Sequence, residues 1–121
     1  MAKTILIVDD EPDVLKMESF RVRQSGYEVV TAVNGEEALQ AVRQRRPDLV
    51  LLDVRMPVMQ GTAVCAQIKS DTSLRSIPVV LVTASSDSVV ECVKGCGADD
   101  YLLKPFDSDE LLAKVKKFAG E

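Results

Sequence analysis

The chain contains no histidine and no tryptophan, and only two tyrosines and three phenylalanines among its 121 residues. Without an imidazole there is no serine–histidine triad, no histidine-ligated zinc and no histidine phosphate carrier. Glycine and proline are sparse, at 6 and 5, which excludes a collagen-like or linker chain, and the 46% apolar content excludes disorder. The three cysteines are an odd, thin set, better suited to reduced thiols in a cytoplasm than to a disulfide framework. Basic charge is also short: 15 Lys and Arg against 19 Asp and Glu leave a net charge of −4, which argues against a dedicated nucleic-acid binder with a basic face. No apolar run approaches the length of a membrane span, the longest candidate lying near Ile77 to Val82. The start looks superficially like a secretory leader, but its apolar run stops at Asp9 and Asp10. A soluble, cytoplasmic chain with no membrane partner is the expectation.

The length suits one domain, expected over residues 3–119. Thr4 to Val8 is a short apolar run rich in β-branched residues, the pattern of a strand buried on both faces. Pro12 then opens a helix, with Val14, Leu15, Met17, Phe20 and Val22 at roughly helical spacing up to Ser25-Gly26. Tyr27 to Ala32 reads as a strand. Asn34-Gly35 starts a second helix, with Glu36 and Glu37 at its positive end and Arg43, Arg45 and Arg46 at the other. Leu49 to Leu52 is a strand ending in Asp53, Gly61 to Lys69 a short helix, Ile77 to Thr83 a strand and Asp87 to Lys94 a helix. Asp100 to Leu103 is a last strand, and Asp107 or Ser108 caps a final helix that turns Leu111, Leu112, Val115 and Phe118 inward. Strands alternating with helices predict an α/β fold: a doubly wound five-stranded parallel sheet of flavodoxin-like order 2-1-3-4-5, with helices on both faces.

Open parallel sheets bind ligands beyond the carboxyl ends of their strands, where the strand order reverses. In the order 2-1-3-4-5 that point lies between the first and third strands, so Asp9, Asp10 and Asp53 meet at one rim. Three carboxylates in one crevice repel one another, and a divalent cation resolves the repulsion. An all-oxygen set favours Mg²⁺, or Mn²⁺, over zinc. Lys104 arrives from the fifth strand with an ammonium and Thr83 from the fourth with a hydroxyl. Metal, ammonium and hydroxyl around a carboxylate make a receptor for phosphoryl oxygens, and the carboxylate can itself be the nucleophile. Taken singly, strand-end acids are usually helix caps or solvated loop charges; together at one rim they point to chemistry.

Four segments in order carry a resemblance across essentially the whole chain: Ile5-Leu6-Ile7-Val8-Asp9-Asp10-Glu11; Leu51-Leu52-Asp53-Val54-Arg55-Met56-Pro57 with Gly61; Val82-Thr83-Ala84; and Gly97-Ala98-Asp99-Asp100-Tyr101-Leu102-Leu103-Lys104-Pro105-Phe106. The sequence resembles response-regulator receiver domains of two-component signalling, and is similar to the single-domain chemotaxis regulators. The resemblance implies that Asp53 is the phosphoacceptor, that Asp10 binds Mg²⁺ directly and Asp9 mainly through a metal-bound water, and that the backbone carbonyl of Arg55 is a further ligand. It implies that Thr83 and Lys104 contact the phosphoryl group, that Lys104-Pro105 is a cis peptide, and that Tyr101 is the switch aromatic that turns inward when Thr83 moves. Arg55 and Ser85 occupy the positions that tune loss of the phosphoryl group. Such a domain is a signalling switch that catalyses only its own phosphorylation and dephosphorylation. Its donor is a sensor histidine kinase or a histidine phosphotransfer protein. Its output, through the fourth helix, fifth strand and fifth helix, is a downstream protein target or an effector domain missing from this chain. Gln60 departs from the acid or amide usual before Gly61 and lies away from the acids.

Other readings are weaker. Cys92 and Cys96 lie one helical turn apart, but with no histidine and only Cys65 elsewhere they read as packing thiols. The Arg43 to Arg46 cluster reads as a solvated helix end, and Met56 and Met59 as hydrophobic fill. A phosphohydrolase of the haloacid-dehalogenase type needs a second acid two residues after the nucleophile, where this chain has Arg55. An FMN-binding flavodoxin needs a hydroxyl- and glycine-rich loop where this chain has Asp9-Asp10-Glu11-Pro12-Asp13. No glycine is followed by lysine, so there is no Walker A loop, and the Gly95/Gly97 pair lacks the third glycine of a dinucleotide fingerprint. The remaining alternative is a phosphorylation-independent binding module of the same fold, which the full set of acid, hydroxyl and lysine positions disfavours.

Overall fold

The computed structural model describes residues 3–54, 61–83 and 95–120. Arg55, Ser85, Cys92 and the helix expected at 87–94 lie outside them. The described elements run β1 (Thr4–Val8), α1 (Pro12–Gln24), β2 (Glu28–Ala32), α2 (Gly35–Arg45), β3 (Leu49–Asp53), α3 (Gly61–Ser70), β4 (Val79–Thr83), β5 (Asp100–Leu103) and α4 (Ser108–Ala119). The five strands form one parallel sheet in the order β2-β1-β3-β4-β5, as expected from the alternation of apolar runs and helices. Among the described residues no helix is long and apolar enough to cross a membrane.

Because side chains alternate along a strand, the central strands feed two cores. Leu6, Val8, Val50, Leu52, Val79 and Leu81 pack with α2 and α3 residues such as Leu39, Val42, Val64 and Ile68. Ile5, Ile7, Leu49, Leu51, Val80 and Val82 point the other way, onto Leu15 and Val22 of α1 and Leu111 and Val115 of α4. The helix ends follow their local chemistry. Asn34 caps α2 by accepting from the Glu37 N–H at 2.9 Å, and Asp107, rather than Ser108, caps α4 by accepting from the Glu110 N–H at 2.8 Å.

Two sequence expectations shift. Ile77 precedes β4, because its N–H closes a turn onto the Leu74 carbonyl at 2.9 Å instead of joining the sheet. On α1, Met17 and Phe20 do not face the core: they are 54% and 56% exposed, and Glu18 and Ser19 are buried with Leu15 and Val22 instead. Ser19 is accommodated by donating to the Leu15 carbonyl at 2.6 Å. Glu18 has no such outlet, and its position bears on the site below.

Candidate functional site

Strand register places the site residues. Val8 pairs with Leu52, so Asp9, just past the end of β1, comes level with Asp53, the last residue of β3. Asp53 pairs with Val82 and Thr83 with Leu103, which puts Thr83 and Lys104 one step farther along the same rim. The Lys104 N–H is anchored on the Thr83 carbonyl at 2.8 Å, and the Lys104–Pro105 peptide is cis.

Carboxylate oxygens of Asp9, Asp10 and Asp53 all lie within 4.8 Å of one another. Asp9 and Asp53 are buried and Asp10 is exposed, so the cluster has a closed floor and an open mouth. Each oxygen of Asp9 has a role: Oδ1 accepts from the Glu11 N–H at 2.9 Å, and Oδ2 faces Lys104 Nζ at 3.4 Å. Lys104 Nζ also stands 3.5 Å from Asp53 Oδ2. Burial works against the Lys104 charge, but Asp53 and then Asp9 more than offset it, and the ammonium is held above its ordinary pKa. Among the described residues three carboxylates thus face the Lys104 ammonium, which leaves excess negative charge among oxygen donors. That donor set fits a hard divalent cation such as Mg²⁺.

Backbone approach is as demanding as side-chain placement. The Gly61 N–H donates to the Val54 carbonyl at 3.0 Å, and a Cβ on Gly61 would run into the carbonyl oxygen of Asp53. Glycine at the start of α3 lets this helix close on the strand end that carries Asp53. Tyr101, on β5, is half-buried against the α2/α3 core, and its ring lies 5.9 Å from Lys114 Nζ. Lys114 and Lys117 pair with Asp100 at 2.7 and 3.2 Å, tying α4 to the strand that carries Tyr101. Burial raises the Asp100 pKa, yet the hydrogen bonds from Lys114, the Tyr101 N–H and Lys117 leave it below the ordinary carboxylate value.

Sequence reasoning missed Glu18. It is only 2% exposed, Oε2 has no hydrogen-bond partner among the described residues, and its carboxyl is pushed up to about 7. Burial is the main cause; Asp9 and, less strongly, Asp53 add to it, while Lys104 opposes it. Nothing in a helical sequence pattern marks a glutamate as buried, although Glu18 is three residues after Leu15 and four before Val22, on the stripe they define. Cys65 and Cys96 are both buried, with Cys65 Sγ 3.5 Å from the Cys96 carbonyl, and burial followed by the neighbouring Cys96 drives the Cys65 thiol pKa upward. Thiols so held are packing groups.

A doubly wound parallel sheet with an acid cluster, a lysine and a threonine on its carboxyl rim is the architecture of a signalling receiver domain. The family comparison specifies it: residues 5–116 match the response regulator receiver domain, and the chain belongs to that family. It is 42% identical over 118 residues to the DNA-binding response regulator MtrA of Mycolicibacterium smegmatis, covering 96% of this chain and 50% of that protein. The chain therefore spans about half the length of the curated relatives it matches. Among solved structures it is similar to the chemotaxis protein CheY4 of Vibrio cholerae, with 31% identity, a TM-score of 0.91, and coverage of 98% of this chain and 99% of that one. It is also similar to the receiver domain of a Pseudomonas aeruginosa sensor histidine kinase, with 28% identity, a TM-score of 0.90 and full coverage of both chains. That structure has a magnesium ion coordinated in its active-site cleft.

Proposed function

We propose that this chain is a Mg²⁺-dependent phosphorylation switch, one receiver domain over residues 3–119, in which Asp53 accepts a phosphoryl group from a phosphohistidine on a sensor kinase or phosphotransfer protein. The observation that carries the reading is the clustering of Asp9, Asp10 and Asp53 around a rim that Lys104 closes within 3.4 and 3.5 Å of two of the carboxylates. A bound divalent cation supplies charge neutralisation for the phosphoryl oxygens. Asp10 and Asp53, with the Arg55 carbonyl, would hold it directly, and Asp9 mainly through water.

An oxygen of Asp53 attacks phosphorus as the P–N bond to the donor imidazole breaks, which leaves an aspartyl-phosphate and a free imidazole. Lys104 turns from carboxylate to phosphoryl oxygen and stabilises the charge there. The Thr83 hydroxyl donates to a second oxygen, and its displacement frees space for Tyr101 to turn inward. β5, α4 and the expected 87–94 helix then present a changed face to a protein target or to an effector domain. Arg55 and Ser85, two residues beyond Asp53 and Thr83 in the sequence, would tune how long the phosphoryl group persists. The relatives' DNA binding is a property of proteins twice this length, and the net charge of −4 supports a receiver that makes no direct nucleic-acid contact.

Incubation with acetyl phosphate and Mg²⁺, followed by intact-mass and peptide mapping, tests the reading. One phosphoryl group on Asp53, lost in Asp53→Asn and suppressed by a chelator, is expected. No labelling of the parent would leave the phosphorylation-independent binding module in its place.

A further inference from the structure

A carboxyl buried without a hydrogen-bond partner is costly, and a leucine at position 18 would fill the inner face of α1 without that cost. Glu18 lines a cleft of about 290 Å³ between α1 and α4, and its Oε2 has no hydrogen-bond partner among the described residues. The remaining walls divide by chemistry. Met17, Phe106 and Leu111 supply an apolar surface. Arg21, exposed and one helical turn beyond Glu18, supplies a guanidinium that forms no ion pair among the described residues. Asp107 is already occupied, because its carboxylate caps α4 by accepting from the Glu110 N–H at 2.8 Å. The cleft thus offers one buried acid, one cation at its rim and an apolar wall, and none of Asp9, Asp10, Asp53 or Lys104 lines it.

A lone ammonium would meet Glu18 but stand beside Arg21, and a lone carboxylate would meet Arg21 but face Glu18. A zwitterion with an apolar body satisfies all three features. The volume lies at the small end of ligand sites, which run from roughly 300 to 1,000 Å³, and so suits a single amino acid rather than a nucleotide-sized cofactor. We propose that this cleft is a binding site for a free apolar α-amino acid, with Glu18 holding the α-ammonium, Arg21 the α-carboxylate, and Met17, Phe106 and Leu111 the side chain. A turn about the last bond of the Glu18 side chain, a soft torsion, brings a carboxylate oxygen toward the cleft, and the ammonium then supplies the donor that Oε2 lacks. The pair with buried Glu18 is shielded from water and carries most of the selectivity, whereas the pair with exposed Arg21 is screened and contributes less. The site joins α1 to the first turn of α4 and needs no step at Asp53, so it stands or falls apart from the phosphorylation reading.

The test titrates the parent with L-phenylalanine, phenethylamine and phenylpropionate, three probes of like shape, and follows the amide resonances of Arg21, Phe106 and Leu111. Phenylalanine should bind saturably with a Kd below about 10 mM, at least about 10-fold tighter than phenylpropionate and roughly 2- to 5-fold tighter than phenethylamine. Glu18→Gln should bring the phenylalanine and phenylpropionate constants to within about threefold of each other. Arg21→Gln, a change at an exposed position, should erase the preference over phenethylamine and leave the preference over phenylpropionate intact. Asp53→Asn should bind all three probes as the parent does. Absence of saturable phenylalanine binding by the parent, an undiminished preference over phenylpropionate in Glu18→Gln, or an undiminished preference over phenethylamine in Arg21→Gln would overturn the proposal.

Discussion

At the scale of single residues, the pocket is a set of charges whose balance sets both binding and stability. Asp10 is the exposed member of the acid cluster, so its loss should cost little in packing and much in metal binding. Mg²⁺ should raise the melting temperature of the parent through its binding to the native state alone, and Asp10→Asn should lose most of that rise. Thermal melts with and without Mg²⁺ check it, and an undiminished shift in the variant would remove Asp10 from the ligand set. Glu18 gives a pH signature in the metal-free protein. Its folded pKa of about 7 lies above the ordinary 4.5, so the native chain holds the extra proton between these values. Its contribution is fully present below the unfolded value and is lost as pH rises, on the order of 3 kcal/mol by about pH 8. Asp100, held below its ordinary value, has the opposite sign but acts only in more acid solution. Denaturant titrations from about pH 5 to 8 should therefore show falling stability in the parent and a flatter profile in Glu18→Leu. Equal slopes would contradict the burial of the charge.

At the scale of elements, the junction of β3 and α3 is the tightest part of the site. Gly61→Ala puts a methyl group against the Asp53 carbonyl, so the helix start or the strand end must move. A loss of about 1–3 kcal/mol in unfolding free energy is expected, with slower labelling of Asp53. An alanine variant with parental stability and labelling would show that the junction has slack. The same elements mark what was legible in the sequence. Unbroken apolar runs such as Thr4 to Val8 and Leu49 to Leu52 announced strands, and the residues that follow them, Asp9 and Asp53, named the site rim. The helix start at Asn34 was equally plain, whereas the last cap stayed open between Asp107 and Ser108 until the structure chose Asp107. The inner face of α1 was not, because hydrophobic spacing assigns Met17 and Phe20 inward and says nothing of Glu18. A helix stripe wider than its apolar residues can hold either kind of side chain, and only the packing of α1 between β1 and α4 decides. Tertiary contacts such as the Lys69–Asp99 pair at 2.7 Å, with Asp99 also accepting from the Val79 N–H at 2.8 Å, join residues too far apart in sequence for any local pattern.

At the scale of the whole molecule, the sheet separates two tasks. Its carboxyl rim gathers the acids, Thr83 and Lys104, while β5 and α4 carry Tyr101 and the Asp100–Lys114 pair away from the rim. A phosphoryl group on Asp53 can shift this arrangement only if the two states differ by a few kcal/mol, since one ligand's differential contacts supply no more. Thr83→Ala should separate the tasks: the proposed nucleophile Asp53, the acid cluster and Lys104 remain, so labelling should persist, but the change should no longer reach Tyr101. Disappearance of labelling in that variant would mean the hydroxyl belongs to the chemistry itself.

On the proposed reading, phosphorylation at Asp53 changes the β5/α4 face. Backbone amide resonances recorded with Mg²⁺, before and after acetyl phosphate, in the parent and in Asp53→Asn, test it most directly. In the parent, resonances of Thr83, Tyr101 and the α4 residues around Lys114 should move together with those of the pocket, and in Asp53→Asn none should move. A parent that becomes phosphorylated on Asp53 while Tyr101 and α4 keep their unphosphorylated resonances would contradict the switch.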